Sequence, residues 1–197
     1  METTDLKVSI IGAGNMGGAI ARGLSKGTTV QASNIRVSDI SADHLQALQT
    51  FAPEISISRT NVEIIKDADI IILAVKPWLV ETVAKEIEHK IDYKKQIIVS
   101  IAAGVDFEKL SELFDTEASI FRVIPNTAID ILESVTTIAA QKATKEQQDL
   151  VLTLFAEMGK AFLVPETQLN AFMSLSSCGI AYAFRYIRAA MEGGVEM

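Results

Sequence analysis

Short apolar segments alternate with amphipathic ones along the first 164 residues. The apolar segments are typical of buried strands, while segments such as 42–50, with Leu45 and Leu48 on one face, are typical of helices. Predicted strands cover 6–11, 35–38, 70–75, 97–101, 119–124, 134–140 and 161–164. Predicted helices cover 15–26, 42–50, 61–66, 79–90, 106–114 and 144–158. This alternation predicts an α/β fold with a doubly wound, mostly parallel sheet.

The alternation ends at Pro165. From 166 to about 191 there is neither a proline nor a strand pattern, which predicts one long helix. A single helix cannot bury its own apolar stripe. We therefore expect 1–164 to form one domain and 165–197 to be the first helix of a C-terminal helical domain, which is truncated here or completed by a partner subunit.

Composition narrows the class of protein. The chain has 197 residues, 49% of them apolar, and a net charge of −7, so no basic surface argues for a nucleic-acid or membrane partner. The single cysteine, Cys178, excludes an intrachain disulfide and fits a reducing compartment. The N-terminus is polar and acidic, unlike a signal peptide, and apolar runs such as 70–75 are far shorter than the ~20 residues of a membrane span. We expect a cytoplasmic protein without a metal site.

A glycine-rich motif follows the first predicted strand. Residues 12–17, Gly-Ala-Gly-Asn-Met-Gly, match G-x-G-x-x-G between a strand and a helix. In that context Gly12 permits the tight turn, Gly14 lets a pyrophosphate approach the backbone, and Gly17 lets the helix pack on the strand. The alternative is an ordinary strand-to-helix turn with three glycines. The context favours a dinucleotide-binding domain of Rossmann type.

An acidic residue ends the second predicted strand. Asp39 lies about 20 residues after the glycine motif, where a carboxylate accepts hydrogen bonds from the adenosine ribose and repels a 2′-phosphate. This position favours NADH over NADPH. The alternative is that Asp39 caps the next helix, with Ser41 sharing that role.

Two further loops follow predicted strands at the edge where ligands bind in open α/β sheets. Ala74–Pro77 follows strand 70–75, and its Lys76 could reach a ribose or a phosphate; the alternative is a solvated loop lysine. Ser100–Gly104 is a loop of small residues that would let a flat ring approach the backbone. The alternative there is a turn that requires small residues.

Few residues could act as a base. An alcohol dehydrogenase needs one, commonly histidine or lysine. The two histidines, His44 and His89, lie in polar stretches of predicted helices, and 166–197 contains no lysine. Reduction of a protonated C=N bond depends less on a base from the protein, because the substrate already carries the positive charge that attracts hydride. The composition of the long helix therefore favours an imine substrate.

Several motifs together resemble pyrroline-5-carboxylate reductase, the last enzyme of proline synthesis. The motifs lie in the order of that family and cover essentially the whole chain. They are Ile11–Met16, Ala74–Pro77, Ser100–Gly104, Arg122–Thr127 and Ala190–Val195. The glycine motif alone would not separate this family from other Rossmann enzymes, but the combination does.

The resemblance implies hydride transfer from NAD(P)H to the C=N bond of 1-pyrroline-5-carboxylate, giving L-proline. It also implies that Glu166 lies near the substrate, whereas from its position alone Glu166 would be an acidic residue stabilised by a helix N-terminus. Asn126, the second substrate-site candidate, would order the loop between the domains. The cofactor would be held by Ile11, Gly12, Ala13, Gly14, Asn15, Met16, Asn61, Ala74, Val75, Lys76, Pro77, Ala102 and Ala103, beside Gly17 and Asp39.

The sequence departs from the family at three places. The family commonly has a small hydroxyl residue in place of Asp39. Its Ser-Gly-Ser-Gly-Pro-Ala-Tyr run is replaced by residues 176–182, Ser-Ser-Cys-Gly-Ile-Ala-Tyr, and we expect this loss of glycine and proline to give a more regular helix. The family continues into an interlocked helical domain, which implies a homodimer or higher homo-oligomer and supplies further substrate contacts. Two alternatives stay open: a β-hydroxyacid dehydrogenase relative and a non-catalytic, dinucleotide-binding regulator.

Overall fold

The computed structural model describes residues 5–197 and confirms the doubly wound architecture. Within these residues, eight strands form one sheet in the order β3-β2-β1-β4-β5-β6-β7-β8, and only the β6–β7 pair is antiparallel. The strands are β1 (Val8–Ile11), β2 (Ile35–Ser38), β3 (Ser56–Ser58), β4 (Ile70–Leu73), β5 (Ile97–Ser100), β6 (Ser119–Ile124), β7 (Ser134–Gln141) and β8 (Gly159–Leu163).

Helices connect the strands and cover both faces of the sheet. They are α1 (Asn15–Leu24), α2 (Ala42–Phe51), α3 (Asn61–Ile64), α4 (Val80–Ile87), α5 (Phe107–Leu113), α6 (Lys145–Ala156), α7 (Glu166–Phe172) and α8 (Gly179–Glu196). Short 3₁₀ turns include Pro77–Leu79 before α4 and Thr127–Ile131 before β7. Across residues 5–197, no helix combines the length and apolar character that crossing a membrane requires.

The apolar core is divided in two by the sheet. Alternate residues of β4 point to opposite faces: Ile70 and Ile72 pack beneath α1, α2 and α6, whereas Ile71 and Leu73 pack beneath α4 and α5. All four are fully buried. A strand covered on both faces reads as an unbroken apolar run, which is why the sequence predicts β4 so clearly.

Two elements differ from the sequence-based expectation. The edge strand β3 is absent from the predicted set, because Ser-Ile-Ser offers one apolar residue to the core and gives no recognisable period. The strand predicted at 161–164 begins two residues earlier, at Gly159. That glycine has φ +135° and lies against β7, since a Cβ on it would stand 2.2 Å from the Ser134 carbonyl oxygen.

The expected single helix over 166–191 is wrong in one respect. A π-helical turn, Met173–Ser177, separates α7 from α8, so the segment at 176–182 is not the regular helix that the loss of glycine and proline predicts. The Cys178 amide donates to the Met173 carbonyl at 3.0 Å, five residues back. The Ser176 hydroxyl donates to the Phe172 carbonyl at 2.8 Å, and such side-chain bonds compete with the regular helical ones.

A partly buried carboxylate joins the end of α6 to the loop before β2. Oε1 of Glu157 accepts hydrogen bonds from the Thr28 and Thr29 amides at 2.6 and 2.8 Å and from the Thr28 hydroxyl at 2.9 Å. Burial raises the pKa of Glu157, but the bonds from Thr28 and Thr29 outweigh it, so the pKa lies below its ordinary 4.5. An acid at the C-terminal end of a helix is unfavourable by itself. These bonds compensate for that position.

This contact has a definite pH dependence. Because the pKa is lower in the folded state, the carboxylate stabilises the fold above the unfolded pKa, and this stabilisation is lost as the pH falls through the folded value. We expect Glu157→Gln to lower the free energy of unfolding by about 1 kcal/mol at pH 7 and by less at pH 3. Urea denaturation at both pH values measures this. The exposed Glu54→Gln is the matched control, and an equal loss at both pH values would contradict the assignment.

Candidate functional site

The glycine motif forms the turn between β1 and α1 at the carboxyl edge of the sheet. Gly12 has φ +105°, and a Cβ on it would lie 2.5 Å from the Ala74 carbonyl oxygen. A Cβ on Gly17 would lie 1.9 Å from the Gly12 carbonyl oxygen, so the start of α1 sits directly on the turn. A Cβ on Gly14 meets nothing within 4 Å. The outer two glycines thus serve the packing, and the middle one leaves open space in front of the helix.

The N-terminus of α1 is free to receive an anion. Gly14 occupies the N-cap, no side chain caps the helix, and its first turn holds no acidic residue. The first amides of a helix have no acceptor within it, and together with the helix dipole they favour negative charge. Open space and unpaired donors at one place suit a pyrophosphate.

Asp39 contacts the glycine turn rather than capping α2. Its Oδ2 accepts from the Ala13 amide at 2.6 Å, and its Oδ1 accepts from the Ser41 amide at 2.7 Å. Ser41 itself is the N-cap of α2 and accepts from the His44 amide. The Asp39 side chain is 11% exposed, with His44 Nδ1 3.5 Å away. The carboxylate therefore lies where β2 meets the glycine turn, the position at which a ribose is bound in this fold.

The remaining predicted cofactor residues lie along the same edge. Asn61 begins α3, where its Oδ1 accepts from the Ser38 hydroxyl at 2.7 Å and its Nδ2 donates to Glu86 of α4 at 2.7 Å. The loop after β4 carries the exposed Lys76. After β5, Ala102 is buried, and Ala103 is exposed beside Gly104 with φ +84°. Ile11, Asn15 and Met16 flank the glycine turn, and Ala74, Val75 and Pro77 flank Lys76.

An ion pair between a buried arginine and a half-buried glutamate anchors the start of α7 to the sheet. Arg122 of β6 is 7% exposed at its side chain and donates through Nη1 to Glu166 Oε1 at 2.6 Å. The same oxygen accepts from the Phe107 amide at 2.8 Å, and the guanidinium lies 6.0 Å from the Phe107 ring centroid. Glu166 is the first residue of α7, so both its position at a helix N-terminus and its ion pair stabilise the carboxylate.

Arg122 is a residue that the site prediction omitted. It belongs to the quoted motif at 122–127, but no role was assigned to it. A signal was present, because an arginine inside a strand that is buried at every position requires a partner. Among the described residues its Nε has no hydrogen-bond partner, which leaves the Glu166 carboxylate as its counter-charge.

Asn126 connects the loop after β6 to the π-helical turn. Its Nδ2 donates to the Ser176 carbonyl at 3.0 Å, while its Oδ1 accepts from the Ala128 amide at 3.1 Å. The Ser177 hydroxyl donates to the Pro125 carbonyl at 3.0 Å. The loop and the turn are thereby held together by polar contacts from both sides.

Neither histidine is enclosed by the site: His44 lies exposed beside Asp39, and His89 lies in the turn after α4. The side chains of His44 and His89 are 54% and 85% exposed. Within residues 5–197, no group of three or more His, Cys, Asp or Glu residues is arranged to hold a metal ion. The arrangement offers an uncapped helix N-terminus, a carboxylate at the end of β2 and small-residue loops, which together suit a bound dinucleotide.

Comparison with known proteins gives a consistent result. A family model described as NADP oxidoreductase, coenzyme F420-dependent, matches residues 7–104. Pyrroline-5-carboxylate reductase of Methanosarcina acetivorans is 36% identical over 190 residues, which cover 96% of this chain and 70% of the relative.

Solved structures agree with the sequence relatives. Plasmodium falciparum pyrroline carboxylate reductase, solved with NADP bound, has a TM-score of 0.87 and 25% identity, covering 100% of this chain and 71% of that one. The Coxiella burnetii pyrroline-5-carboxylate reductase has a TM-score of 0.90 and 25% identity, covering 98% and 72%. The chain thus spans about 70% of the length of each of these three relatives.

Proposed function

Since the chain belongs to the pyrroline-5-carboxylate reductase family, we propose that it reduces the C=N bond of 1-pyrroline-5-carboxylate to give L-proline. A hydride from NAD(P)H goes to the imine carbon, and the ring nitrogen keeps the proton that made the imine electrophilic. The observation that carries the proposal is the 36% identity to a reductase of this name over 96% of the chain. Neither a β-hydroxyacid dehydrogenase nor a non-catalytic regulator gains comparable support.

The described residues fit a dinucleotide, as shown by the space in front of Gly14 and the uncapped start of α1. We assign the pyrophosphate to the amides of residues 14–17 and the adenosine ribose to Asp39. The nicotinamide end then lies toward the loops after β4 and β5, at Lys76 and Ala102–Ala103. When bound, the nicotinamide supplies the hydride, and these residues orient it and exclude water.

Imine reduction also fits what the site lacks. Both histidines are exposed, and the helices after Pro165 contain no lysine. A protonated imine needs no base, so positioning and electrostatic stabilisation supply the catalysis. We place Glu166 and Asn126 at the substrate end of the site. Glu166 of α7 pairs with Arg122 of β6, and Asn126 in the loop after β6 donates to the Ser176 carbonyl. Both residues therefore lie where β6 and its following loop meet the helices at 166–196.

The activity test uses purified protein in both directions. We expect oxidation of NADH or NADPH at 340 nm on addition of pyrroline-5-carboxylate, and slow reduction of the oxidised cofactor with L-proline at high pH. A 3-hydroxy acid serves as the control substrate for the dehydrogenase alternative. Tight cofactor binding with no turnover in either direction would favour the regulator instead.

Asp39 is the basis for proposing a preference for NADH. The carboxylate leaves lone pairs for the ribose hydroxyls beyond its two backbone bonds, and its charge repels a 2′-phosphate. We expect Asp39→Ser to shift the ratio of NADPH to NADH affinity by about tenfold toward NADPH, or about 1.4 kcal/mol. Isothermal titration with both cofactors measures the ratio.

Asp39→Asn separates charge from hydrogen bonding in that experiment. The amide keeps an acceptor for one backbone N–H but carries no negative charge, so it should share most of the shift. Thermal unfolding of each variant checks that the contact with Ala13 has not been lost. An unchanged ratio in both variants would remove Asp39 from coenzyme selection.

The C-terminal helix supports a proposal about assembly and domain division. Residues 181–196 of α8 are all exposed, including Tyr182 at 65%, Phe184 at 67% and Met191 at 68%. Exposed apolar side chains in such number mark an interaction surface. We propose a dinucleotide domain at 1–164, a helical segment at 165–197, and a homodimer or higher homo-oligomer formed through these helices. Light scattering across a concentration series tests the assembly.

The compartment is a further proposal. An exposed free thiol at Cys178 suits the cytoplasm, where thiols stay reduced. The net charge of −7 gives no electrostatic attraction to nucleic acid or to an anionic membrane. Fractionation of cells that express the tagged protein tests this.

A further inference from the structure

One of the two histidines stands beside the carboxylate that we assign to the adenosine ribose. His44 Nδ1 lies 3.5 Å from Asp39 Oδ2, which is ion-pair distance once the imidazole is protonated. Ser41 is the N-cap of α2, and its hydroxyl oxygen accepts from the His44 amide at 3.4 Å, so His44 lies in the first turn of that helix. Because Asp39 lies two residues before this cap, the start of α2 brings the imidazole to the carboxylate.

The carboxylate that His44 meets is held in a fixed position. Its Oδ2 accepts from the Ala13 amide at 2.6 Å, and its Oδ1 accepts from the Ser41 amide at 2.7 Å. The Asp39 side chain is 11% exposed, whereas the His44 side chain is 54% exposed. Charges interact more strongly where they are shielded from bulk water. The imidazole can therefore exchange a proton with solvent, while the carboxylate that responds to its charge stays shielded.

Asp39 is the charged partner that the structure gives His44. Within residues 5–197, no other carboxylate lies within ion-pair distance of the imidazole. The other charged groups around α2 are Asp43 on α2 itself, Arg59 after β3, and Arg22 and Lys26 on α1. Arg59 donates to the Ile40 carbonyl at 3.1 Å, and the two cations of α1 stand over the Phe51 ring at the other end of α2. A change in the charge of His44 is therefore felt first by Asp39.

We propose that His44 is a specificity-determining residue that acts through Asp39, so that protonation of its imidazole weakens the discrimination against the 2′-phosphate of NADPH. The proposal rests on the proposed function, since it needs a dinucleotide whose ribose lies at Asp39. Beside a neutral imidazole, the negative charge of Asp39 repels a 2′-phosphate. With an imidazolium 3.5 Å away, the pair carries no net charge, and most of that repulsion is cancelled.

The consequence is a coenzyme preference that depends on pH. Histidine is the side chain whose charge ordinarily changes between pH 5 and pH 8. The preference for the cofactor without a 2′-phosphate should therefore be strong above this interval and narrow as the pH falls through it. A fixed aspartate without the histidine would discriminate equally across the interval, apart from the protonation of the ligand itself.

The measured quantity is the ratio of the dissociation constants of NADP⁺ and NAD⁺, obtained by calorimetry from pH 5.5 to pH 8.5. The oxidised cofactors are used because the reduced ones decompose in acid. A phosphate monoester takes up a proton near about pH 6, so part of the change belongs to the ligand. His44→Gln has a neutral side chain of similar size and isolates that part. At pH 5.5 we expect the ratio to be about threefold lower in the unmodified protein than in His44→Gln, and at pH 8.5 we expect the two to agree.

His89→Gln is the matched control. His89 is 85% exposed and its Nε2 lies 3.6 Å from Glu88 Oε1, so it makes a similar contact with a carboxylate, in the turn after α4. We expect this variant to keep the pH profile of the unmodified protein. A second control, Asp39→Asn, removes the carboxylate through which His44 acts. Adding His44→Gln to Asp39→Asn should then leave the ratio unchanged at every pH.

The outcomes separate this proposal from the ones on which it rests. If Asp39→Asn changes the ratio but His44→Gln keeps the pH profile of the unmodified protein, His44 has no part in selection and the role of Asp39 stands. If His44→Gln changes the profile equally with and without the Asp39 carboxylate, action through Asp39 is wrong. If the unmodified protein binds neither cofactor at millimolar concentration, the dinucleotide assignment itself is wrong, and the role of His44 fails with it.

Discussion

Replacing Gly17 with alanine is expected to destabilise the protein by about 3 kcal/mol and to abolish dinucleotide binding. The added Cβ would stand 1.9 Å from the Gly12 carbonyl oxygen and 2.8 Å from Cβ of Ala74. Neither atom belongs to a flexible side chain, so β1, β4 or α1 must move. Urea denaturation gives the change in stability, and calorimetry with NADH gives the change in binding.

Gly14→Ala is the matched control for that result. Its Cβ meets nothing within 4 Å and its φ of −65° suits any residue, so the free energy of unfolding should change by less than about 0.5 kcal/mol. Binding should nevertheless weaken, because the methyl group occupies the space assigned to the pyrophosphate. If Gly14→Ala binds NADH normally, or Gly17→Ala unfolds at the same urea concentration as the unmodified protein, the roles assigned to the glycines are wrong.

The second large effect is expected at the anchor of α7. Glu166→Ala leaves Arg122 buried without a counter-charge and removes the acceptor of the Phe107 amide. Breaking a buried ion pair from one side costs about 3 kcal/mol, because the remaining charge stays desolvated. We expect a loss of that size in the free energy of unfolding, measured by urea denaturation.

A double-mutant cycle identifies the source of that loss. Arg122→Met removes the charge and keeps an apolar side chain of similar length, so the Arg122→Met, Glu166→Ala double variant should be more stable than Glu166→Ala alone. The exposed pair Lys145–Asp149 is the control, since Asp149→Ala should cost about 0.5 kcal/mol or less. Additive losses at Arg122 and Glu166 would show that the two do not stabilise each other.

A second variant, Glu166→Gln, addresses the proposed place of Glu166 at the substrate end. If Glu166 only anchors α7, kcat/KM per folded molecule in Glu166→Gln should match that of the unmodified protein. If its second carboxylate oxygen contacts the substrate, KM for pyrroline-5-carboxylate should rise while the affinity for NADH stays constant. Fluorescence titration of NADH in the same sample supplies the second reading.

The parts of the fold that the sequence predicts are those whose requirements leave a recognisable pattern along the chain. β4 is predictable because both of its faces are buried, and the glycine turn is predictable because Gly12 and Gly17 have no room for a side chain. These requirements leave a mark in the sequence itself, as an unbroken apolar run and as glycines at fixed spacing. The same holds for Asp39, whose position at the end of β2 follows from the strand length.

The features that the sequence misses depend on distant partners. The π-helical turn is contacted by Asn126 and Pro125, some 50 residues earlier, which bind the backbone of Ser176 and the hydroxyl of Ser177. The pairing of Arg122 with Glu166 spans 44 residues. Local propensity carries no information about such contacts, and a run of serines reads as an ordinary helix. The contact of the Asp39 carboxylate with the Ala13 amide, 26 residues earlier, is hidden from local propensity for the same reason.

The π-helical turn before α8 sets the rotation of α8 about its own axis. A regular helix advances about 100° per residue, so deleting one residue within 173–177 would rotate the whole of α8 by roughly that angle. Tyr182, Phe184 and Met191 would then face a different direction while the sheet and its loops stayed unchanged. The loss of one residue from this turn would thus change which face of α8 is presented to a partner molecule, although no residue of α8 itself had changed.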